Sequence, residues 1–371
     1  MKGLTKLDTI KLNDLRRQYG PLRNEILSAL DAVFTDMNLF LGPNTRAFEK
    51  EWAEYCNTAH AVGVDNGTDA LIIALRAYGI GKGDEVITPA NTFVAIAEAI
   101  HEVGATPVFV DINPETYNID VEAMKAAITS HTKAIVPVHL FGLAADMDAI
   151  LEVARPKNIL VIEDASQAQG AKYKGKRVGA LGDSACFSLY YTKNLGGYGE
   201  AGIFTTNNTE IANTFALLRK HGEEPKYHTV ISGYNSRLDE VQSAILRIKL
   251  PHLEEWNNQR RHWASVYTRE LQDVVATPKI PDNCESVFYV YVIRTPQRDA
   301  LKEKLLAAGV ESGIHYPVPL HLQPMCQEYG YKKGQFPVTE KYAAEILSLP
   351  MFAELTEADV QRVCDAVKKS I

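Results

Sequence analysis

The sequence predicts an α/β fold, a parallel or mostly parallel sheet covered on both faces by helices, followed by a smaller α+β domain. Three observations carry this. From residue 61 onward, short apolar runs of strand length alternate with longer segments of helical spacing. Several of those runs are apolar throughout, as strands buried on both faces are. After about residue 245 the pattern changes to a long polar helix, a Pro-containing link and one strand–helix pair.

The elements follow in order. "AVGV" (61–64) is a short apolar strand run, and "GTDALIIALRAYG" (67–79) has helical spacing and ends at Gly79. "DEVITPA" (84–90) reads as a strand and "NTFVAIAEAIHEVG" (91–104) as a helix. "TPVFVDI" (106–112), "KAIVPVHL" (133–140) and "ILVIEDA" (159–165) read as buried strands, with a helix at "DMDAILEVA" (146–154). "SACFSLYY" (184–191) and "AGIFTTN" (201–207) are two strands in close succession. In the last third, "LEEWNNQRRHWASVYTRELQ" (253–272) is a long polar helix, "SVFYVYVIR" (286–294) a strand and "QRDALKEKLLAAG" (297–309) a helix. Trp52 and Tyr55, nearer the N-terminus, read as helix core.

Composition narrows the function classes. The 371 residues are 46% hydrophobic and 23% charged, ordinary for a globular protein, and are enough for one large and one smaller domain. The net charge of −7, with no basic run to offset it, argues against a nucleic-acid partner. The five cysteines are odd in number and far apart, with no C-x-x-C pair, so no metal site and no disulfide frame is expected. The opening "MKGLTKLDTIKLNDL" has no apolar leader core, and no apolar stretch approaches membrane-spanning length. The expectation is a cytoplasmic protein without membrane attachment.

Residues 197–202, "GYGEAG", spell G-x-G-x-x-G. A dinucleotide fingerprint has to follow a strand and open a helix, whose N-terminus meets the pyrophosphate. Here the last glycine runs directly into the strand pattern "IFTT". The glycines therefore read as a tight turn or close backbone approach. That leaves Lys193, four residues ahead of them, as the residue of interest.

Three features bear on chemistry. In "DNGTDAL" (65–71) a strand ends, Gly67 and Thr68 follow and a helix begins, a place for one phosphate. In "VIEDASQAQGA" (161–171) Asp164 stands at the C-terminal end of a buried strand, where ligands bind in open α/β sheets. In "FSLYYTKNLGGYGEAG" (187–202) Ser188 and Lys193 flank an irregular loop. Singly, Thr68 reads equally as an N-cap, Asp164 as a cap or ion pair, and Lys193 as a solvated side chain. Jointly, in this order, they are the parts a pyridoxal phosphate enzyme needs: a phosphate cradle, a carboxylate for the pyridine nitrogen and a lysine for the Schiff base.

From "LNDLRRQY" (12–19) to "LSLPM" (347–351) the chain resembles the DegT/StrS-type nucleotide-sugar aminotransferases, which have the aspartate-aminotransferase fold (fold type I). The resemblance rests on "NGTDAL" (66–71), "GDEVITPANTFVA" (83–95), "FVDINPETYNID" (109–120), "IEDASQAQGA" (162–171), "SLYYTKNLGGYGEAG" (188–202), "GYNSRLDEVQSAIL" (233–246) and "HYPVPLHLQP" (315–324). It implies a seven-stranded-type, mostly parallel sheet in a large domain, residues 1–248, and a small α+β domain, residues 249–371. Lys193 matches the Schiff-base lysine and Asp164 the partner of the pyridine nitrogen. Gln167 matches a residue near the cofactor's phenolic oxygen, Phe93 the aromatic stacked on its ring, and Gly67, Thr68 and Ser188 phosphate contacts. Asn235 matches a residue that reaches the phosphate of the neighbouring subunit, which implies a homodimer with shared sites. Arg237, His315 and Tyr316 match positions near the donor carboxylate or the sugar. His315 also reads as a packed loop histidine, and Arg237 as an interface ion pair.

Two departures stand out: Ala201 where many members have a second glycine, and Asn66 where many have Ser. Neither removes a group the chemistry needs. The resemblance implies transamination with pyridoxal 5'-phosphate, through pyridoxamine phosphate, from L-glutamate (leaving 2-oxoglutarate) to a dTDP- or UDP-linked keto sugar. "NGTDAL", "NSRLDEVQ" and "HYPVPLHLQP" are more similar to members that aminate C3 than to those acting at C4. Dehydratases of the same fold replace the lysine by histidine, and a non-catalytic regulatory protein on this scaffold is expected to lack Lys193 or Asp164. This chain keeps both.

Overall fold

The computed structural model describes residues 9–371. Seven strands form the central sheet: β1 (His60–Val64), β2 (Glu85–Pro89), β3 (Thr106–Val110), β4 (Thr132–Ile135), β5 (Leu160–Asp164), β6 (Ser184–Ser188) and β7 (Gly202–Thr206). Their order is β1-β7-β6-β5-β4-β2-β3. β7 runs antiparallel to both β1 and β6, and the other pairs are parallel. The fold is thus the expected α/β class with a mostly parallel sheet.

Alternate residues along the strands feed two cores. Ile87, Val161 and Phe187 pack with Phe48 and Trp52 on one face. Val86, Ile162, Cys186 and Phe204 pack with Ile73 and Phe215 on the other. With both faces covered, the strands are apolar throughout, which is why they read as continuous runs. Phe48 and Trp52 come from α2 (Pro43–Cys56), which packs on α8 (Glu240–Lys249), as does α1 (Leu15–Asp36). Trp52 is fully buried and Tyr55 stacks on it, the core role expected of them. The opposite face is covered by α3 (Gly67–Ala77), α4 (Ala95–Glu102) and α7 (Thr209–Leu218), while α5 (Val121–Ala126) and α6 (Met147–Ala154) close the first.

Beyond α8, helix α9 (Leu253–Leu271) leads to a two-stranded antiparallel sheet of β8 (Tyr291–Arg294) and β9 (Ile346–Leu349). α9, α10 (Arg298–Ala307) and α12 (Glu357–Ser370) share a separate core around Tyr267, Tyr291 and Val363. α11 (Pro337–Glu345) packs Tyr342 against Tyr117. Ile10 joins this part of the chain through a parallel bridge to Val310.

Several elements are shorter than their sequence patterns, three of them by half or nearly half. The strand expected at 133–140 stops at Ile135, because Pro137 has no N–H to continue the ladder. The helix expected at 91–104 starts at Ala95: Ala90 donates to Val110 and accepts from Leu320, which holds the chain extended before the turn. The strand expected at 286–294 begins only at Tyr291. Val287 and Tyr289 donate to the Gly142 and Phe141 carbonyls, and Phe288 sits at φ +44, so the chain kinks there.

Candidate active site

A cleft of about 920 Å³ opens where β5 and β6 end and α3 begins. It is lined by Gly67, Thr68, Phe93, Asp164, Gln167, Ser188, Lys193, His315 and Tyr316, so nine of the expected site residues meet in one place.

The cradle at the start of α3 is built by close approach. Asn66 caps the helix, accepting from the Asp69 N–H at 2.8 Å. The first-turn N–H groups of Gly67 and Thr68 have no acceptor within the helix. A side chain at position 67 would place its Cβ 2.6 Å from Ser188 Cβ, so only glycine lets the helix end reach β6. A Cβ at Gly202 would lie 2.2 Å from the Asn66 carbonyl oxygen. The last glycine of the G-x-G-x-x-G string thus admits the cradle alongside β7 and contacts no dinucleotide loop.

Asp164 is buried, and its Oδ1 accepts from the Ser166 N–H at 3.0 Å. Its Oδ2 accepts no hydrogen bond among the described residues. Gln167 is fixed at both ends of its amide. Its Oε1 accepts from the Phe141 N–H at 2.8 Å and its Nε2 donates to the Tyr316 hydroxyl at 3.0 Å. Burial, with Tyr289 and Asp164 nearby, pushes the Tyr316 phenol up, so it stays protonated. Its ring lies 5.6 Å from that of Phe93, itself 52% exposed at the cleft and available for stacking.

Lys193 follows β6 in a tight turn, its N–H donating to the Tyr190 carbonyl at 2.8 Å. Its Nζ stands 4.4 Å from the centre of the Tyr289 ring. His315 donates to or accepts from Ser348 Oγ at 2.8 Å. Burial, and then the Lys193 charge, push its pKa down to about 4, so it is neutral near pH 7.

These residues fit pyridoxal phosphate. The cradle offers free N–H groups and the Ser188 hydroxyl in a space that any side chain at 67 would fill, Asp164 keeps an oxygen free, and Lys193 has no carboxylate partner among the described residues. Gly67 and Thr68 with Ser188 would hold the phosphate, Asp164 the pyridine nitrogen, Phe93 a ring face and Lys193 the aldehyde carbon.

Asn235 and Arg237 stand apart. Neither lines the cleft of its own chain. Asn235 is exposed and its backbone pairs with Lys220, and the Arg237 guanidinium lies 4.9 Å over the Phe40 ring. Their neighbour Ser236 hydrogen-bonds Asp65, next to the cap of α3. Sequence reasoning missed Tyr289, Thr192 and Tyr190, which also line the cleft. Thr192 and Tyr190 lie in the quoted lysine block, and their closeness to Lys193 was a usable signal. Tyr289 had none: in "FYVYV" it reads as one more strand aromatic.

Comparison with known proteins gives consistent matches. The model of the DegT/DnrJ/EryC1/StrS aminotransferase family matches residues 21–368. A "pleiotropic regulatory protein" of Geobacillus stearothermophilus is 49% identical over 362 residues, 96% of this chain and 97% of that one. A UDP-N-acetyl-3-dehydro-alpha-D-glucosamine 3-aminotransferase of Acidithiobacillus ferrooxidans is 43% identical over 369 residues, 99% of this chain and 100% of that one. Among solved structures, DesV of S. venezuelae in complex with a ketimine intermediate superposes with a TM-score of 0.96 at 41% identity, covering 98% of both chains.

Proposed function

The chain belongs to the DegT/DnrJ/EryC1/StrS aminotransferase family, and on that premise we propose that it moves an amino group from L-glutamate to C3 of a UDP- or dTDP-linked keto sugar. It is a pyridoxal-phosphate-dependent aminotransferase. The observation that carries the reading is the meeting of Lys193, Asp164 and the α3 cradle in one cleft. The 3-aminotransferase of Acidithiobacillus ferrooxidans, matched over the full chain, supports C3.

The bound cofactor supplies an aldehyde carbon that links to amines and a ring that accepts the electrons left when a proton leaves the donor's α-carbon. The protein's residues do the rest. The α3 N–H groups and Ser188 would anchor the phosphate and so orient the cofactor towards Lys193. Asp164, buried at the end of β5, would hold a proton on the cofactor's pyridine nitrogen, where an ion pair is little screened. The Lys193 amine, when free, would take the proton from the donor's α-carbon as an ammonium and give it up again in the second half of the reaction, to the α-carbon side or to the cofactor's reacting carbon. Gln167, locked by Phe141 and Tyr316, fixes the edge of the site. The neutral imidazole of His315 is placed to accept or donate a hydrogen bond to substrate without adding charge.

Asn235 and Arg237, exposed or half-buried away from their own cleft, are read as residues that complete the site of a neighbouring subunit, which makes the enzyme a homodimer. All five cysteines are free, which fits a reducing cytoplasm. No helix of the described residues is long and apolar enough to cross a membrane.

The test is an amination screen with glutamate and a panel of UDP- and dTDP-linked 3-keto and 4-keto sugars, with the aminated carbon read by NMR. An amine found only at C4 refutes the regiochemistry. No turnover of any sugar by protein that carries the cofactor points to a regulatory role, such as the Geobacillus stearothermophilus relative's name describes.

A further inference from the structure

We propose that the ring face of Tyr289 is a working part of the catalytic site: it carries the Lys193 ammonium whenever that amine is free, and so sets how readily the amine holds and releases a proton. The inference rests on reading Lys193 as the proton carrier.

The geometry is specific. Lys193 Nζ stands 4.4 Å from the ring centre, and the ring lines the cleft. No carboxylate pairs with Lys193 among the described residues. A carboxylate in contact would hold the proton firmly against its return. An aromatic face stabilises the cation by less, enough to favour proton uptake and little enough to allow release.

Both partners are held in place by one helix. Arg260 on α9 donates to the carbonyls of Phe288 at 3.2 Å, Tyr289 at 3.4 Å and Met351 at 2.9 Å. Asn257, three residues earlier and so on the same helix face, accepts from Asn194 Nδ2 at 2.8 Å. Asn194, which follows Lys193, also donates to the Val287 carbonyl at 2.9 Å. The Tyr289 hydroxyl meets Thr192 Oγ1 at 3.3 Å.

The other charged or titratable groups around the pair are Asp164 at the end of β5, His315 and Tyr316 across the cleft, Tyr190 and Glu200 from the lysine loop, and Arg260 behind the ring. Burial pushes the Tyr289 phenol up, but the Lys193 charge, the Thr192 hydrogen bond and the polar contact of Lys193 with the hydroxyl outweigh it, leaving the phenol below its ordinary value. The two groups therefore sense one another in the folded protein.

The test uses cofactor-free protein and reads Lys193 directly. Acetic anhydride labelling of the Lys193 peptide is followed by mass spectrometry from about pH 7 to about pH 10, below the ordinary lysine value of about 10.4. Accessibility scales the whole profile, and only proton affinity moves it along the pH axis. Tyr289→Phe keeps the ring face and removes only the hydroxyl, so its profile should be displaced from wild type by less than that of Tyr289→Met. Tyr289→Met removes the aromatic face and should raise the free-amine fraction about 2- to 30-fold at a given pH, the span of known cation–π strengths. A Tyr289→Met profile that superposes on wild type overturns the proposal, as does a Tyr289→Phe profile displaced equally. If Tyr289→Met does not fold, Lys193→Met serves in reverse. NMR of the ring-labelled tyrosines should show Tyr289 ionising at higher pH once the lysine charge is gone, and no change overturns the proposal. An inactive Lys193→Ala with an undisplaced Tyr289→Met profile ends this inference alone. An active Lys193→Ala ends the assignment of Lys193.

Discussion

Gly67→Ala tests the cradle with a single methyl group. The new Cβ would stand 2.6 Å from Ser188 Cβ and 2.9 Å from its Cα. Carbon atoms pack at about 3.5–4.0 Å, so something has to move by roughly 1 Å. α3 cannot simply retreat, because the Asn66 carbonyl already lies against Gly202, where a Cβ would come within 2.2 Å. Overpacking of this kind costs about 1–3 kcal/mol. Alanine's better helix propensity returns at most about 1 kcal/mol, and less in the first turn. The net expectation is a loss of about 1–2 kcal/mol in the cofactor-free protein. Cofactor binding should weaken further, since a shift of 1 Å breaks at least one charge-assisted hydrogen bond to phosphate, about 1.5–3 kcal/mol or roughly 10- to 150-fold in affinity. Urea denaturation of cofactor-free protein and absorbance titration with cofactor give both numbers. Wild-type stability and wild-type cofactor affinity in Gly67→Ala would refute the close-approach argument.

Three further outcomes are expected. Asp164→Asn should keep the fold and bind cofactor, yet lose about 10²-fold or more in kcat, and turnover within a few-fold of wild type in steady-state assays makes Asp164 structural. Refolding a Lys193→Ala chain together with an Asn235→Ala/Arg237→Ala chain should restore roughly a quarter of wild-type activity, since half the dimers are mixed and each holds one intact site, whereas no recovery in confirmed mixed dimers places both residues outside the partner's site. His315 has its folded pKa pushed down to about 4 by burial and then by Lys193, so the unfolded chain takes up the proton first; its contribution is whole above about pH 6.5 and is lost as pH falls towards 4, by at most about 3 kcal/mol, and His315→Gln should flatten the urea-stability profile of cofactor-free protein across that window.

Much of this protein is decided locally. The runs around Ile87, Val161 and Phe187 name the buried strands because strands covered on both faces need apolar residues at every position. The order of cradle, carboxylate and lysine is readable because each depends on its own short stretch: a capped helix start, a strand end, a turn after a strand. Patterns failed where the next element decided the conformation. "KAIVPVHL" looks like one strand, but Pro137 breaks its ladder against β5. "SVFYVYVIR" looks like another, but the Phe141 and Gly142 carbonyls bend it at Phe288 and so turn Tyr289 towards Lys193. Gly202 read as a close backbone approach, but the partner it approaches is a carbonyl 136 residues earlier in the chain, at Asn66. The sequence by itself determined the chemical groups and the elements that carry them, since those follow from composition and period. Only the tertiary structure decided which groups meet, because the distance from Lys193 to Tyr289 is set by how the α9 face, the β6 end and the 140–142 turn pack together, and no one segment contains that information.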